Sequence, residues 1–348
     1  MRPHPLNDLQ SAFRRFATVE AKDLASPLYE ELALGVANDA DLLDISLRTK
    51  THQPAPNMLF AAAQYLLLTG VEHRLSAHYP IMSGQKPSHQ SAFADFRDFC
   101  LRHQDAVVEL ISTRRTQTNV VRRCTCLLPA FSLVSEESGL PLALIDVGAS
   151  AGLNLNFDRY YYTYTYDRKE RTNWGMAGSR IHLEAEIKGC TTFPPLAPTI
   201  PVASRNGIDL DPVDLDDSDQ LLWLRALIWP EHVERHQQLM DAANEFTHSD
   251  IHLHAGDAAD VLPGLISTIS NEHALVVYST IALYQFPREN LRRVKRALIE
   301  ASKKRPVWQI ALEGTDPTLS ITRYREGAGH PRILADASPH GWWMKWRD

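Results

Sequence analysis

One short segment, residues 146–152, carries the groups best suited to binding a ligand. An apolar run, residues 143–147, includes Asp146 and ends in a turn bracketed by Gly148 and Gly152. Glycine lets a backbone approach a ligand closely, and the free N–H groups at the start of a helix point towards it. Because a segment able to start a helix follows from Leu153, the pattern predicts the strand–loop–helix unit of a nucleotide-binding α/β protein.

The glycine spacing favours one nucleotide over others. A dinucleotide fingerprint needs glycine at the first, third and sixth positions of the turn, which here hold Gly148, Ser150 and Leu153. A site for S-adenosylmethionine prefers an acid, one spacer and Gly-x-Gly-x-Gly, and only Ser150 departs from that pattern. No Gly-Lys-Ser/Thr follows, which excludes a P-loop. The cofactor-binding residues predicted here are Asp146, Gly148, Ala149, Ser150, Gly152 and Asn154. A glycine-rich turn without a ligand is the alternative for this motif alone.

Three later strand ends carry polar residues in the order that such a site requires. Asp209 ends a predicted second strand, where an acceptor-only group would bind both ribose hydroxyls, with Asp211 as the alternative. Asp257 and Ala258 follow the next strand and would contact the adenine. Ser279 ends a fourth, buried run, residues 274–280. Each acid alone is more typical of a cap or a solvated end, so the prediction rests on the ordered set.

The chain also resembles a known bacterial family. The resemblance is carried by residues 26–29, 113–119, 207–214, 223–230 and 339–341 together with the glycine turn. On these segments it is similar to the family catalogued as domain of unknown function 2332. The resemblance implies a methyltransferase-like fold without an established reaction. Thr280 and residues 311–314 depart slightly from the family pattern.

Composition and charge narrow the possible classes of function. The 348 residues have a net charge of −6, with 44% hydrophobic and 22% charged residues, as in ordinary globular proteins. The charge argues against nonspecific binding to nucleic acid or to an anionic membrane. The four cysteines, Cys100, Cys124, Cys126 and Cys190, lack paired metal-ligand spacing and indicate reduced thiols. No signal peptide or span of ~20 apolar residues is evident, so we expect a cytoplasmic protein.

The periodicity of apolar residues divides the chain into two predicted domains. Residues 1–138 show helical spacing and predict a helical cap domain, whereas residues 139–348 alternate strands and helices. The second domain is expected to be a Rossmann-like, seven-stranded class I methyltransferase sheet with one antiparallel strand. Residues 160–201 are expected to form a β-hairpin insertion. His252 and His254 have metal-compatible spacing but no third ligand, so no metal site is predicted.

The candidate catalytic residues come from the segment before the glycine turn and from two positions after the buried run at residues 274–280. If residues 105–126 form one helix, Arg114 lies on its apolar face and needs an acid, a ligand or solvent. On this reading Arg115, Gln117 and Asn119 form a polar face of the cap that binds an acidic group of the substrate. A helix break at residues 112–113 with a solvated basic surface is the alternative. Tyr284 and His340 are candidate acids or bases, although each is more typical of a structural residue.

These residues predict a methyltransferase that uses S-adenosylmethionine and acts on a small acidic molecule. Methyl transfer depends on approach, alignment and desolvation, so the lack of a clear base does not exclude it. Two other classes of function remain open. One is a nucleoside-binding regulatory protein of the same fold, and the other is a nicotinamide-dependent oxidoreductase. No nucleic-acid or membrane partner is expected, and the substrate and oligomeric state stay undetermined.

Overall fold

The computed structural model describes residues 6–85, 92–166, 170–189, 193–246 and 249–347, so Cys190 lies outside the described residues. The helices are α1 (Leu6–Arg15), α2 (Pro27–Val36), α3 (Ala40–Ser46), α4 (Ala55–Leu68), α5 (Pro80–Ser83), α6 (Phe93–Arg102), α7 (Gln104–Thr113), α8 (Cys124–Ser138), α9 (Ser218–Ala226), α10 (Val233–Phe246), α11 (Ala258–Thr268) and α12 (Arg288–Ser302). Short 3₁₀ turns cover Arg74–His78, Val121–Arg123, Leu153–Arg159 and Leu283–Gln285, and a π-helical turn, Phe16–Ala21, continues α1. Across these described ranges, no helix is long and apolar enough to cross a membrane.

The strands are β1 (Leu142–Val147), β2 (Tyr161–Tyr166), β3 (Glu170–Gly175), β4 (His182–Ile187), β5 (Val202–Asp209), β6 (Ile251–Ala255), β7 (Ala274–Thr280), β8 (Val307–Glu313), β9 (Thr318–Arg325), β10 (Ala328–Ala337) and β11 (Trp343–Trp346). The chain divides into two compact units. The first contains Met1–Thr118 and Asp216–Gln237, and the second contains Asn119–Leu215 and Gln238–Asp348.

The first unit is helical because its apolar residues recur at helical spacing and its helix starts carry caps. Ser26 accepts a hydrogen bond from the Tyr29 N–H at 3.3 Å, and Asp39 accepts one from the Leu42 N–H at 3.0 Å, which satisfies amides that a helix start leaves unpaired. Aromatic rings dominate the core, and Tyr29 stacks on Phe60 at 4.6 Å.

The segment 216–237 completes that core, although the sequence analysis placed it with the second domain. The ring of Trp229 lies 5.1 Å from that of Phe16 and 5.4 Å from that of Tyr29. The buried side chain of Gln64 donates to the carbonyl of Ala226 at 3.0 Å. Burying an aromatic side chain of this size stabilises a fold by roughly 1.5–3 kcal/mol, so the segment contributes directly to the stability of the helical unit.

The second unit contains one 11-stranded sheet in the order β3-β2-β4-β11-β10-β9-β8-β7-β1-β5-β6. The predicted seven-stranded Rossmann-like class I methyltransferase sheet is therefore wrong. Most pairs are parallel, whereas β2–β3, β8–β9, β9–β10 and β10–β11 are antiparallel. The strand β9 was not predicted at all, because its serine, threonine and arginine residues weaken the apolar signal that marks a strand.

The strands expected to form a separate hairpin insertion instead extend the main sheet. β4 pairs in parallel with β2 and also with β11, which joins the segment to the end of the chain. The rings of Tyr160, Tyr162 and Tyr164 are buried. The Tyr162 hydroxyl donates to the Phe157 carbonyl at 2.6 Å, and the Tyr164 hydroxyl donates to the Thr125 carbonyl at 2.7 Å. These bonds satisfy the phenols, so the tyrosines serve as core residues.

Five neighbouring strands, β6, β5, β1, β7 and β8, pair only in parallel with one another. The chain runs outward from β1 to β5 and β6 on one side, and then returns to β7 and β8 on the other. Ligands of open α/β sheets bind beyond the carboxyl ends of the strands, where the strand order reverses. The loop that follows β1 lies at this position.

Candidate functional site

At two positions, the loop after β1 has a backbone conformation and surroundings that suit glycine. Gly148 has a φ of 84°, and a Cβ there would lie 2.5 Å from the Cβ of Ala282. Gly152 has a φ of 73°, and a Cβ there would lie 3.0 Å from Leu253. Ser150 also has a positive φ, 52°, where a side chain is strained. The glycines thus let the loop lie close against the ends of the neighbouring strands.

The amides of this loop are largely bonded to the protein itself. Gly148 and Ala149 donate to the Ile208 carbonyl at 2.8 and 3.2 Å, and Gly152 donates to the Ala149 carbonyl at 2.7 Å. Two side chains accept hydrogen bonds from further amides of the loop. Asp209 accepts one from the Ser150 N–H at 2.9 Å, and Asn119 accepts one from the Leu153 N–H at 2.9 Å. A pyrophosphate would need such amides free. The loop therefore suits a nucleoside ligand without phosphates better than a dinucleotide.

Asn119 and Asn154 both lie beneath the loop. Asn119, which the sequence analysis assigned to the substrate-binding face of the cap, belongs to the second unit and is 9% exposed. Its bond to Leu153 makes it a support of the loop. Asn154 is buried, and its carbonyl and side-chain oxygens each lie 3.6 Å from the Cys124 sulfur. Burial raises the pKa of that thiol, so Cys124 is an inert neighbour.

The acids predicted to hold the ribose and adenine lie at the ends of β5 and β6, which are adjacent strands. The Asp209 carboxylate also accepts from the Asp211 N–H at 3.1 Å. Asp257 caps α11 by accepting from the Ala259 N–H at 2.8 Å, and it also accepts from the side chain of Asn290. Ala258 is the buried first residue of α11. Both carboxylates thus make structural hydrogen bonds to backbone amides.

Asp146 is the most perturbed acid at this edge of the sheet. It is 2% exposed, and its Oδ1 makes no hydrogen bond to the residues that the structure describes. Burial raises the pKa of Asp146 to about 8, and Asp209 and Glu313 reinforce the rise, while the Tyr278 hydroxyl and Arg123 oppose it. A buried acid with a strongly shifted pKa in a ligand-binding region is a candidate functional group.

Two charged residues at the same edge were missed by the sequence analysis as site residues. Glu313 ends β8 and accepts from the Ala282 and Leu283 amides at 3.1 and 3.3 Å, while its Oε2 is buried with no partner in the described part of the chain. Arg123 is 6% exposed and donates to the carbonyls of Pro339 and Thr280 at 2.9 and 3.1 Å. Burial lowers the pKa of Arg123 to about 10, and Glu313 opposes that fall. A buried strand that ends in glutamate was the available signal for Glu313.

The end of β7 and the loop that follows it contain two further candidates, Ser279 and Tyr284. Ser279 is 3% exposed, and its hydroxyl has no hydrogen-bond partner among the described residues. Ile281 has a φ of 51°, which is strained for a β-branched residue and is typical of functional sites. Tyr284 is 71% exposed and interacts electrostatically with Arg123. His340 is half-buried and follows Pro339, whose carbonyl Arg123 holds.

The other two candidate residues, Arg115 and Gln117, lie in the first unit. Of the two interpretations of residues 105–126, the single helix is wrong and the helix break near residues 112–113 is present: α7 ends at Thr113, and α8 begins at Cys124. Arg114 pairs with Asp219, and its guanidinium lies 5.8 Å from the ring of Trp223. Arg114 therefore has an acid as its partner, and it no longer supports the inference of an acidic substrate.

A metal centre would need several clustered ligand side chains. Within the part of the chain that the structure describes, no group of three or more His, Cys, Asp and Glu side chains is placed to hold a metal ion. His252 is exposed, and the Nε2 of His254 lies 3.2 Å from the Oδ1 of Asn206. The site is thus a set of carboxyls, hydroxyls and one guanidinium around a glycine loop.

Comparison with known proteins gives a family and no activity. The family model that matches the chain is described as an uncharacterised protein conserved in bacteria, domain of unknown function 2332, and it covers residues 10–346. Among curated proteins and solved structures, none matches the chain.

Proposed function

The chain therefore belongs to that bacterial family of uncharacterised proteins, and from its own residues we propose that it is a methyltransferase that uses S-adenosylmethionine. The observation that carries the proposal is the loop after β1. It lies where the strand order reverses, and its amides are occupied by Ile208, Asp209 and Asn119. Such a loop favours a nucleoside with a cationic or neutral tail over one with phosphates.

Each part of the nucleoside has candidate partners in the second unit. Asp209, at the end of β5, is the candidate for the ribose hydroxyls, because a carboxylate is an acceptor-only group. Asp257 and Ala258, after the adjacent β6, are the candidates for the adenine. Asp146 and Ser279 have buried oxygens that a ligand would satisfy.

Methyl transfer requires little acid–base catalysis by the protein. When bound, S-adenosylmethionine supplies an electrophilic methyl group on its sulfonium. The residues of this chain would bind the nucleoside, orient the acceptor in line with that methyl and exclude water, and such alignment is the main source of rate in a displacement. The raised pKa values of Asp146 and Glu313 are consistent with a site that is shielded from water.

The proposal is tested by calorimetric titration with S-adenosylhomocysteine, with NADH as the comparison ligand. We expect S-adenosylhomocysteine to bind and NADH not to bind. Asp209→Asn keeps an oxygen for the Ser150 amide, removes the charge and gives up the bond from the Asp211 amide. It should weaken binding by roughly 1.5–3 kcal/mol, the usual range for a hydrogen bond to a charged group. The control is Glu272→Gln, an exposed acid just before β7 at the opposite edge of the sheet, which should leave the affinity unchanged.

Other outcomes would contradict the proposal in different ways. Binding of NADH alone would indicate an oxidoreductase. Binding of neither ligand, after any ligand carried through purification has been removed, would indicate a non-catalytic role. Transfer of label from methyl-labelled S-adenosylmethionine to a small-molecule extract separates an enzyme from a nucleoside-binding protein.

A further inference from the structure

Several buried polar atoms without partners meet at the carboxyl ends of β1, β7 and β8. They are Asp146 Oδ1, Ser150 Oγ, Tyr278 Oη, Ser279 Oγ and Glu313 Oε2, none of which has a hydrogen bond to the described residues. As hydrogen-bond donors, the Tyr278 hydroxyl counters the rise in the pKa of Asp146, and the Ser279 hydroxyl counters that of Glu313. Neither contact reaches full hydrogen-bond geometry, so these atoms are satisfied only weakly by each other.

Burying several polar atoms without partners destabilises the folded state unless a ligand supplies those partners. Leaving one buried polar group unpaired costs about 1–3 kcal/mol, and native proteins satisfy roughly 90% or more of such groups. The atoms also lie at the edge of the sheet where ligands of this architecture bind. A polar ligand that supplies the missing partners accounts for both facts.

The charges around these atoms restrict the ligand. Arg123 interacts with both Glu313 and Asp146. Its Nε donates to the Pro339 carbonyl, and one terminal nitrogen donates to the Thr280 carbonyl. An ionised Glu313 would repel a phosphate or another simple anion, and the guanidinium would repel a metal ion. A group that carries one positive and one negative charge satisfies both kinds of residue.

We propose that Arg123, Ser279 and Glu313, with Asp146 beside them, bind the zwitterionic end of an α-amino acid. Arg123 holds the carboxylate, and Glu313 Oε2 accepts hydrogen bonds from the ammonium group while Ser279 bridges the two. Two molecules would carry such a zwitterionic group into the site. One is the amino-acid end of the cofactor, in which case the inference rests on the proposed function. The other is a free amino acid that binds beside the nucleoside as the methyl acceptor.

The experiment compares two nucleosides on matched variants. S-adenosylhomocysteine carries the amino-acid end, and 5′-methylthioadenosine lacks it. Glu313→Gln keeps an oxygen for the Ala282 and Leu283 amides, and Ser279→Ala removes only an unpaired hydroxyl. The control is Ser132→Ala in α8, which also removes a buried unpaired hydroxyl but lies in the body of a helix. L-Methionine and L-alanine are titrated separately into the protein, alone and saturated with 5′-methylthioadenosine.

If the cofactor supplies the zwitterion, S-adenosylhomocysteine binds the unaltered protein more tightly than 5′-methylthioadenosine does. Glu313→Gln and Ser279→Ala then weaken only S-adenosylhomocysteine, by about tenfold or more. If a free amino acid supplies it, the two nucleosides bind equally, and the two variants lose the binding of the amino acid. In both cases Ser279→Ala and Ser132→Ala unfold at or above the temperature of the unaltered protein, because each removes an unsatisfied group.

Equal effects of the variants on both nucleosides, or none on any ligand, would overturn the inference and leave the proposed function standing. Absence of binding by both nucleosides overturns the proposed function. Amino-acid binding that the variants abolish would then still support the zwitterion site, and its absence would overturn that too.

Discussion

The buried position of Asp146 in β1 opposes the ionisation of its carboxyl group. Every residue of β1 is buried, so both faces of this strand lie inside the protein. The carboxyl is buried on one of these faces, and burial is the first cause of its pKa near 8. The unfolded chain loses this proton near pH 4, whereas the folded chain holds it to about pH 8. Asp146 therefore costs the folded state stability as the pH rises through this window.

Replacing Asp146 with asparagine removes the ionisation and keeps the shape. We expect Asp146→Asn to be more stable than the unaltered protein at pH 8, by about 1–3 kcal/mol, the usual cost of a buried uncompensated polar group. The gain should shrink towards pH 5, where the carboxyl is neutral in the folded state. Urea unfolding at both pH values measures it, with Glu272→Gln as the control. A gain that does not change with pH would show that ionisation is not its cause.

At the scale of elements, the loop after β1 depends on contact with the loop after β7. The Cβ of Ala282 occupies the space that a side chain at position 148 would need. Glu313 fixes Ala282 by accepting from its amide, so Ala282 does not move aside freely. The two loops consequently form one support for the candidate site.

Gly148→Ala should therefore cost more than the backbone strain of an alanine with positive φ. Gly139, at the end of α8, is the matched control, since its φ is 63° and a Cβ there would meet nothing within 4 Å. Gly139→Ala should cost about 1 kcal/mol through strain alone, and Gly148→Ala about 2–4 kcal/mol because overpacking adds to it. Thermal unfolding compares the two variants. Equal losses would mean that the contact with Ala282 relaxes without cost.

At the scale of the whole molecule, the two units carry buried groups with opposite responses to pH. In the first unit, burial lowers the pKa of His232 to about 4 and that of His236 to about 3. The folded state keeps both rings neutral, whereas the unfolded chain takes up protons below about pH 6.5. These histidines therefore cost the first unit stability as the pH falls, whereas Asp146 costs the second unit stability as it rises.

His236→Gln should make the first unit less sensitive to acid. Between pH 7 and pH 5 the free energy of unfolding of this variant should fall by about 1–2 kcal/mol less than that of the unaltered protein. The reason is that the unfolded variant has one histidine fewer that takes up a proton in this range while the folded state stays neutral. Hydrogen exchange of α4 and α9, which lie wholly in the first unit, measures the difference after correction for the intrinsic effect of pH. The strands β1 and β7 serve as the internal control. An unchanged response of α4 and α9 would contradict the assignment to His236.

The amino-acid sequence was sufficient for features that neighbouring residues determine. The positions of Gly148 and Gly152 follow from a local backbone with positive φ, and the apolar run before them encodes a buried strand. The spacing of apolar residues likewise predicted helices for the first part of the chain. Acids placed at strand ends, such as Asp209, were found because parallel strands end at a common edge.

Only the tertiary structure decided which strands pair and which charged residues meet. The partners of β4 and the place of β9 depend on packing between segments far apart along the chain, which no local pattern encodes. Arg123 and Glu313 also come from distant parts of the sequence, and burial in a common place is what couples them. A charge on its own in a sequence is usually solvated, so the significance of these two residues emerges only once folding has removed them from water.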